Sequence, residues 1–216
     1  MRIVSAIAIA ALGIVCLPRD SAAQWISLGL RGSGGVPTGT FAENEVTSST
    51  AVISGAKNGF GYGLEAGAGI GPIGAYAGFD HLKFDCETLS CFDSGSYRLQ
   101  GVSFGLKLSS RRFRLLRPFI KGGVTFNDLR GSYGSSSNGL TADRAPGDEL
   151  GAGADIALRG LISLAPQFRY VGQNLKAKIP GITSPDPDGQ GVNYVTFDLG
   201  LSFHTPYQLF GSWRAR

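Results

Sequence analysis

Beyond its first residues, this sequence has no apolar run long enough for a transmembrane helix, which needs about 20 residues. Passage through a bilayer would therefore require a closed barrel, because lipid cannot satisfy the polar edge of an open sheet. Histidine is scarce as well. His81 and His204 are the only two, which gives hydrolytic chemistry little to work with. The glycines of 61–71 lack the G-x-G-x-x-G order, a following helix and any G-K-[ST], so they do not make a phosphate-binding loop. Asp186-Pro187-Asp188-Gly189 has no glutamate in register downstream and reads as a turn rather than a calcium loop. No charge of one sign dominates. Removing residues 1–23 takes away Arg2, Arg19 and Asp20 and leaves 18 basic and 15 acidic side chains, too mild a balance for a nucleic-acid partner.

The N-terminus accounts for the one apolar run. Met1-Arg2 precedes an apolar stretch from Ile3 to Leu17, then Pro18, then Ser21-Ala22-Ala23 before Gln24. A short charged start, an apolar run and small residues at a cleavage point predict a secretory signal peptide over 1–23. Cys16 suggests a lipid-modified cysteine, but the preceding Gly13-Ile14-Val15 fits such a site poorly. Cleavage leaves two cysteines, Cys86 and Cys91, and an even number in an exported chain predicts a disulfide. The alternative, a redox or metal pair, has only His81 nearby, and an oxidising compartment favours the bridge. The loop it would close is small, so its contribution falls below the roughly 3 kcal/mol of a 15-residue loop. No cofactor and no metal site are expected.

What the sequence does have is alternation. From Val192 to His204, the side chains Val195, Phe197, Leu199, Leu201 and Phe203 share one parity; Thr196, Asp198, Gly200, Ser202 and His204 share the other. Successive side chains of a strand point to opposite faces, so this is a strand with an oily and a polar face. Its length suits a membrane-spanning strand of about 9–11 residues. Seven more segments repeat the pattern: 25–31, 60–70, 73–83, 97–108, 118–129, 150–158 and 161–174. The predicted fold class is all-β, an eight-stranded antiparallel up-and-down transmembrane barrel over 24–206, with a short tail over 207–216. The odd-numbered connections, 32–57, 85–95, 132–147 and 178–191, are long. The even ones, Gly71-Pro72, 109–117 and Arg159-Gly160, are shorter. In an up-and-down barrel this collects long loops at one rim and tight turns at the other, with both termini at the tight-turn rim.

In strand count, loop parity and alternation, the chain resembles the small OmpA/OmpX-type outer-membrane barrels over essentially all of 24–206. The resemblance implies a bacterial outer-membrane location with both termini periplasmic, contact with outer-membrane lipid, and insertion by the barrel insertion machinery. That machinery reads a terminal aromatic. Here Phe203 ends the alternation, yet His204 to Arg216 follow, including Tyr207, Phe210 and Trp213. Some barrels of this kind modify lipid A with a His and a Ser near the lipid-facing rim; Ser202 and His204 instead share the lumen parity.

On the polar faces, Arg31, Glu65, Asp80, Lys107, Lys121, Asp155, Arg169 and Asp198 are expected to line the lumen. An eight-stranded barrel has room for side chains and little more, so these balanced charges should pair. Arg169, Asp198 and Arg31 are expected to form one cluster. A plug that fills the interior is one reading, and a narrow gated ion path through rearranging pairs is another. The arginines of 109–117 suit anionic head groups, peptidoglycan or a solvated turn equally. Trp25, Phe60, Tyr97, Phe119, Tyr170, Tyr194 and Phe203 are read as interfacial aromatic girdles. The reading favoured by these observations is a non-enzymatic, monomeric outer-membrane barrel with a structural or surface-interaction role through a ligand of its extracellular loops. Its rivals are a small low-conductance pore, a soluble lipocalin-like barrel with the oily face inward, and a lipid A-modifying enzyme.

Overall fold

The computed structural model describes residues 24–42, 53–86, 95–110, 115–132, 140–178 and 189–204. The proposed signal peptide, Cys91, the arginines 111, 112 and 114, the turn at 186–188 and the tail from 205 onward lie outside the described residues.

Eight long strands form the wall: β1 (Gln24–Thr38), β2 (Ala56–Ile70), β3 (Ile73–Cys86), β4 (Ser96–Ser109), β5 (Leu116–Ser132), β6 (Thr141–Arg159), β7 (Ile162–Leu175) and, last in the chain, β9 (Gln190–His204). A two-residue strand, β8 (Ala177–Lys178), lies beside the start of β6. Each long strand pairs antiparallel with its neighbours, and β1 pairs with β9, so the sheet closes on itself. The predicted architecture is the observed one.

The strands reach further than their alternation suggests. Residues 32–38, read as loop, continue β1, because Gly34 and Val36 lie in register with Phe197 and Val195 of β9. Cross-strand pairing overrides the weak strand preference of Gly and Ser. Residues 141–147, also read as loop, belong to β6 despite Pro146. Pro146 faces Phe126 of β5, while pairing with β7 begins only at Gly147, so it sits just past the end of the β7 ladder, where a proline is tolerated. The turn expected at Arg159-Gly160 falls one residue later, at 160–161. Gly71 (φ 61°) and Gly160 (φ 59°) open the two tight turns, where a left-handed first residue matches the twist of the flanking strands.

The wall is apolar on its outside. Phe197 is 64% exposed and Leu199 54%, while Asp198 between them is 0% exposed. Leu201 and Phe203 are also exposed, and Val195 is half-buried. Ile26, Leu28, Leu30, Leu64, Leu106, Ile120, Leu150 and Phe168 extend this greasy surface around the cylinder. The lipocalin-like alternative needs these side chains at the centre, and they point the other way.

Candidate functional site in the barrel lumen

The lumen is stratified, and the strata follow from which inward residues each strand brings to a given level. Around the tight-turn rim lies Trp25, whose indole N–H donates to the Gly71 carbonyl at 3.3 Å. Its ring occupies space that only glycine leaves: a Cβ at Gly74 would sit 2.3 Å from Trp25 Cζ2. Lys107 Nζ is 3.3 Å from Asp155 Oδ2 and 3.8 Å above the Phe119 ring. Ser202 Oγ is 2.8 Å from His204 Nε2.

Deeper in lies an ionic ring. Arg169 sits between Asp80 (Nη1 to Oδ2, 3.0 Å) and Glu149 (3.7 Å), and its Nε also donates to Asp198. Asp80 in turn accepts from Arg31 at 2.8 Å, Arg31 reaches Glu65 at 2.9 Å, and Glu65 accepts from Lys121 at 2.6 Å. Lys121 closes the ring at 3.1 Å from Glu149 Oε1, an ionic contact without hydrogen-bond geometry. The circuit Arg169–Asp80–Arg31–Glu65–Lys121–Glu149 thus alternates in sign all the way round, with Asp198 attached to Arg169. Glycines again provide the volume: a Cβ at Gly63 would lie 2.6 Å from Asp80 Oδ1 and 2.9 Å from Arg31 Nε.

Above the ring is a neutral layer. Asn127 Nδ2 donates to Gln173 Oε1 at 3.1 Å and to Tyr194 Oη at 3.4 Å, and Thr125 contacts Asn127 at 3.1 Å. Beyond it, towards the long loops, the lumen turns apolar. Phe41, Ile53, Leu82, Phe84, Tyr97, Leu99, Leu129, Leu140, Val171, Leu175, Val192 and Tyr194 form one buried cluster. Phe84 lies at its centre, 5.3 Å from Phe41 and 5.5 Å from Tyr194 between ring centroids, over a niche made by Gly35 and Gly59.

All eight charges singled out in the sequence are inside. Arg169, Asp198 and Arg31 share one network, the last joined through Asp80 rather than directly. Lys107 and Asp155 stand apart as a separate pair. Two features escaped the sequence reading. Glu149 is a ninth lumen charge: the alternation predicts strand six only from Leu150, whereas β6 starts at Thr141 and gives Glu149 the parity of Asp155. The apolar cluster departs from the polar interior that the balanced lumen charges predict. The girdle assignment needs correction as well. Phe60, Tyr170 and Phe203 are outside, but Trp25, Tyr97, Phe119 and Tyr194 are buried in the lumen, because their parity is the inward one.

Ser202, His204 and Asp155 meet without forming a relay. Asp155 Oδ1 is 3.9 Å from Nε2, the same nitrogen that faces Ser202. A general base is oriented by a carboxylate on its other ring nitrogen. The cavity beside Ser202, Asp155 and His204 measures about 30 Å³, room for a couple of water molecules. Among the described residues, no group of three or more His, Cys, Asp and Glu side chains is placed to hold a metal ion.

A sealed cylinder that is greasy outside and charged inside inverts the polarity of a soluble protein, and it defines a membrane-spanning β-barrel. The chain belongs to the outer membrane protein beta-barrel domain family, whose pattern it matches over residues 7–204, and that family resides in the bacterial outer membrane. Its fold is similar to that of Neisserial surface protein A (13% identity, TM-score 0.53, covering 84% of this chain and 97% of that one). It is also similar to OprG from Pseudomonas aeruginosa (14% identity, TM-score 0.55, covering 85% and 96%). No curated protein matches the sequence.

Proposed function

We propose that this outer-membrane barrel is a closed scaffold whose partners meet its long connections, with a structural or surface-interaction role and no enzymatic activity. The observation that carries this reading is the double seal of the lumen, an alternating ionic ring beneath an apolar cluster. Rearranging pairs could pass ions through the ring alone, but an ion would then meet a wall of Phe, Leu and Tyr with nothing to replace its hydration. The Ser202–His204 contact lacks the carboxylate geometry and the space that acyl-transfer chemistry needs. With the interior filled, the connections between β1 and β2, β3 and β4, β5 and β6, and β7 and β9 are the parts left to recognise something. They gather at one rim, which we assign to the cell exterior, and the termini fall at the periplasmic rim. The insertion machinery would then read Phe203 from an internal position, and the Cys86–Cys91 bridge would brace the β3–β4 connection.

The test is conductance. The folded protein in planar bilayers is expected to give no stable stepwise current. Steady steps from the native protein that change with Asp198→Ala would overturn the plug and make the chain a small pore.

A further inference from the structure

The outer wall carries a feature that the sealed lumen does not use. Three cations occupy directly opposed positions on three adjacent strands: Lys83 of β3 faces Arg98 of β4, which faces Arg130 of β5. All three side chains are exposed on the outside of the barrel. Like charges directly opposite in a sheet repel, so such a row is unfavourable unless an anion lies across it. Arg144 of β6 adds a fourth cation. It reaches Asp128 at 3.3 Å, and Arg130 lies 3.8 Å from the same carboxylate. One carboxylate therefore serves two arginines, while Lys83 and Arg98 have none among the described residues. Arg98, Gln100, Asp128, Arg130 and Arg144 border a hollow of about 190 Å³ on this surface.

The rows beneath say what kind of anion fits. One step towards the tight-turn rim, β2 to β5 present Tyr62, His81, Gln100 and Asp128 in a row, with the Tyr62 and His81 rings stacked at 5.2 Å. A further step gives Leu64, Phe79, Val102 and Phe126, the start of the greasy wall. Along the strands the surface passes from apolar, through amphipathic, to cationic. That is the profile of a lipid read from acyl chain to head group. A soluble anion would need only the top row. Arginine forks favour phosphate oxygens, which they grip with paired N–H donors.

We infer that Lys83, Arg98, Arg130 and Arg144 form a binding site for the phosphates of a phosphorylated glycolipid in the leaflet next to the long loops, its acyl chains lying on Leu64, Phe79, Val102 and Phe126. The choice of leaflet rests on the orientation proposed above. The site itself rests on the register of the cations.

Full-length mature protein in phosphatidylcholine nanodiscs doped with bisphosphorylated lipid A, its phosphate-free form or phosphatidylglycerol is released into mild detergent, and the retained lipid is counted by native mass spectrometry. Each cation at such a surface contributes several-fold, so the native protein should retain the bisphosphorylated lipid about tenfold or more over the phosphate-free form. Lys83→Gln/Arg98→Gln/Arg130→Gln should abolish that preference while keeping the heat-modifiable mobility of a folded barrel; if the triple variant fails to fold, Arg98→Gln alone should weaken it. Equal retention of the two lipids by the native protein, or an undiminished preference in a folded variant, overturns the site. Equal retention of phosphatidylglycerol, or full displacement by millimolar inorganic phosphate, overturns the glycolipid assignment. Protease cleavage between β1 and β2 on intact cells reads orientation separately, and its failure would leave the lipid result standing.

Discussion

The two halves of the lumen close the same cylinder by opposite means. Around Arg169 the interior is charged, and each cation of the ring has at least two carboxylates in reach. Around Phe84 it is as apolar as the centre of a soluble domain. Buried charges are costly to desolvate and recover that cost only through well-placed partners, whereas apolar packing gains from burial directly. The ionic half is thus specified by the completeness of its ring, and the apolar half by volume. The difference follows from what each half has at its disposal. The ionic level lies among glycines that leave room for long side chains, and the apolar level lies where the loop residues Phe41, Ile53 and Leu140 can fold in over the strands.

The sharpest way to break this comparison is at Arg169. Arg169→Met removes one cation: Asp198 is left with Gln167 alone, and Asp80 and Glu149 each lose one of their cations, all three buried. Breaking a buried pair from one side costs about 3–5 kcal/mol. The expected outcome is a drop of that size in the free energy of unfolding from urea titration in lipid vesicles. A loss under about 1 kcal/mol would mean that the ring is well hydrated and behaves like surface pairs.

An effect towards the low end of that range is expected in the other half. Phe84→Ala empties a fully buried position and forfeits two aromatic contacts. Such truncations cost about 3–5 kcal/mol, and the low end applies if the loop residues Phe41 and Ile53 settle into the gap. The same urea titration measures it. The contrast is sharpened by the replacement that each half tolerates: Phe84→Leu should restore much of the loss, while Arg169→Lys should not, because a lysine cannot donate to Asp80 and Asp198 through a planar fork.

The sequence disclosed the wall more readily than its filling, for a physical reason. A strand between lipid and lumen must alternate, so Phe197-Asp198-Leu199 reports its two environments with no knowledge of its neighbours. Loop lengths then fix the two rims. The partners inside the lumen are set by register summed around the ring, which no single segment carries; that Arg31 meets Asp80 depends on the β1–β2 and β2–β3 pairings together. Glu149 hid behind Pro146-Gly147, which read as a loop. The apolar cluster was legible in principle. Leu82 and Phe84 continue the parity of Asp80, and Leu99 and Tyr97 that of Gly101, so a greasy inward face was present in the alternation itself. Trp25 and Phe119 share that inward parity, and it outweighs their position near strand ends.

The finest test asks whether the two seals are independent. Arg169 and Phe84 have no contact partner in common among the described residues: the first touches Asp80, Asp198 and Glu149, the second Phe41, Tyr194 and the glycine niche. The neutral layer joins them, through Tyr194, which meets Phe84 edge to face and accepts from Asn127. Sites without shared partners add to within about 0.5 kcal/mol. A double-mutant cycle of Arg169→Met and Phe84→Ala is therefore expected to show coupling no larger than that. A coupling above about 1 kcal/mol would mean that the Asn127–Gln173–Tyr194 layer transmits repacking from one half to the other. The lumen would then be a single filling with a graded polarity, and closure of the barrel would depend on both halves at once.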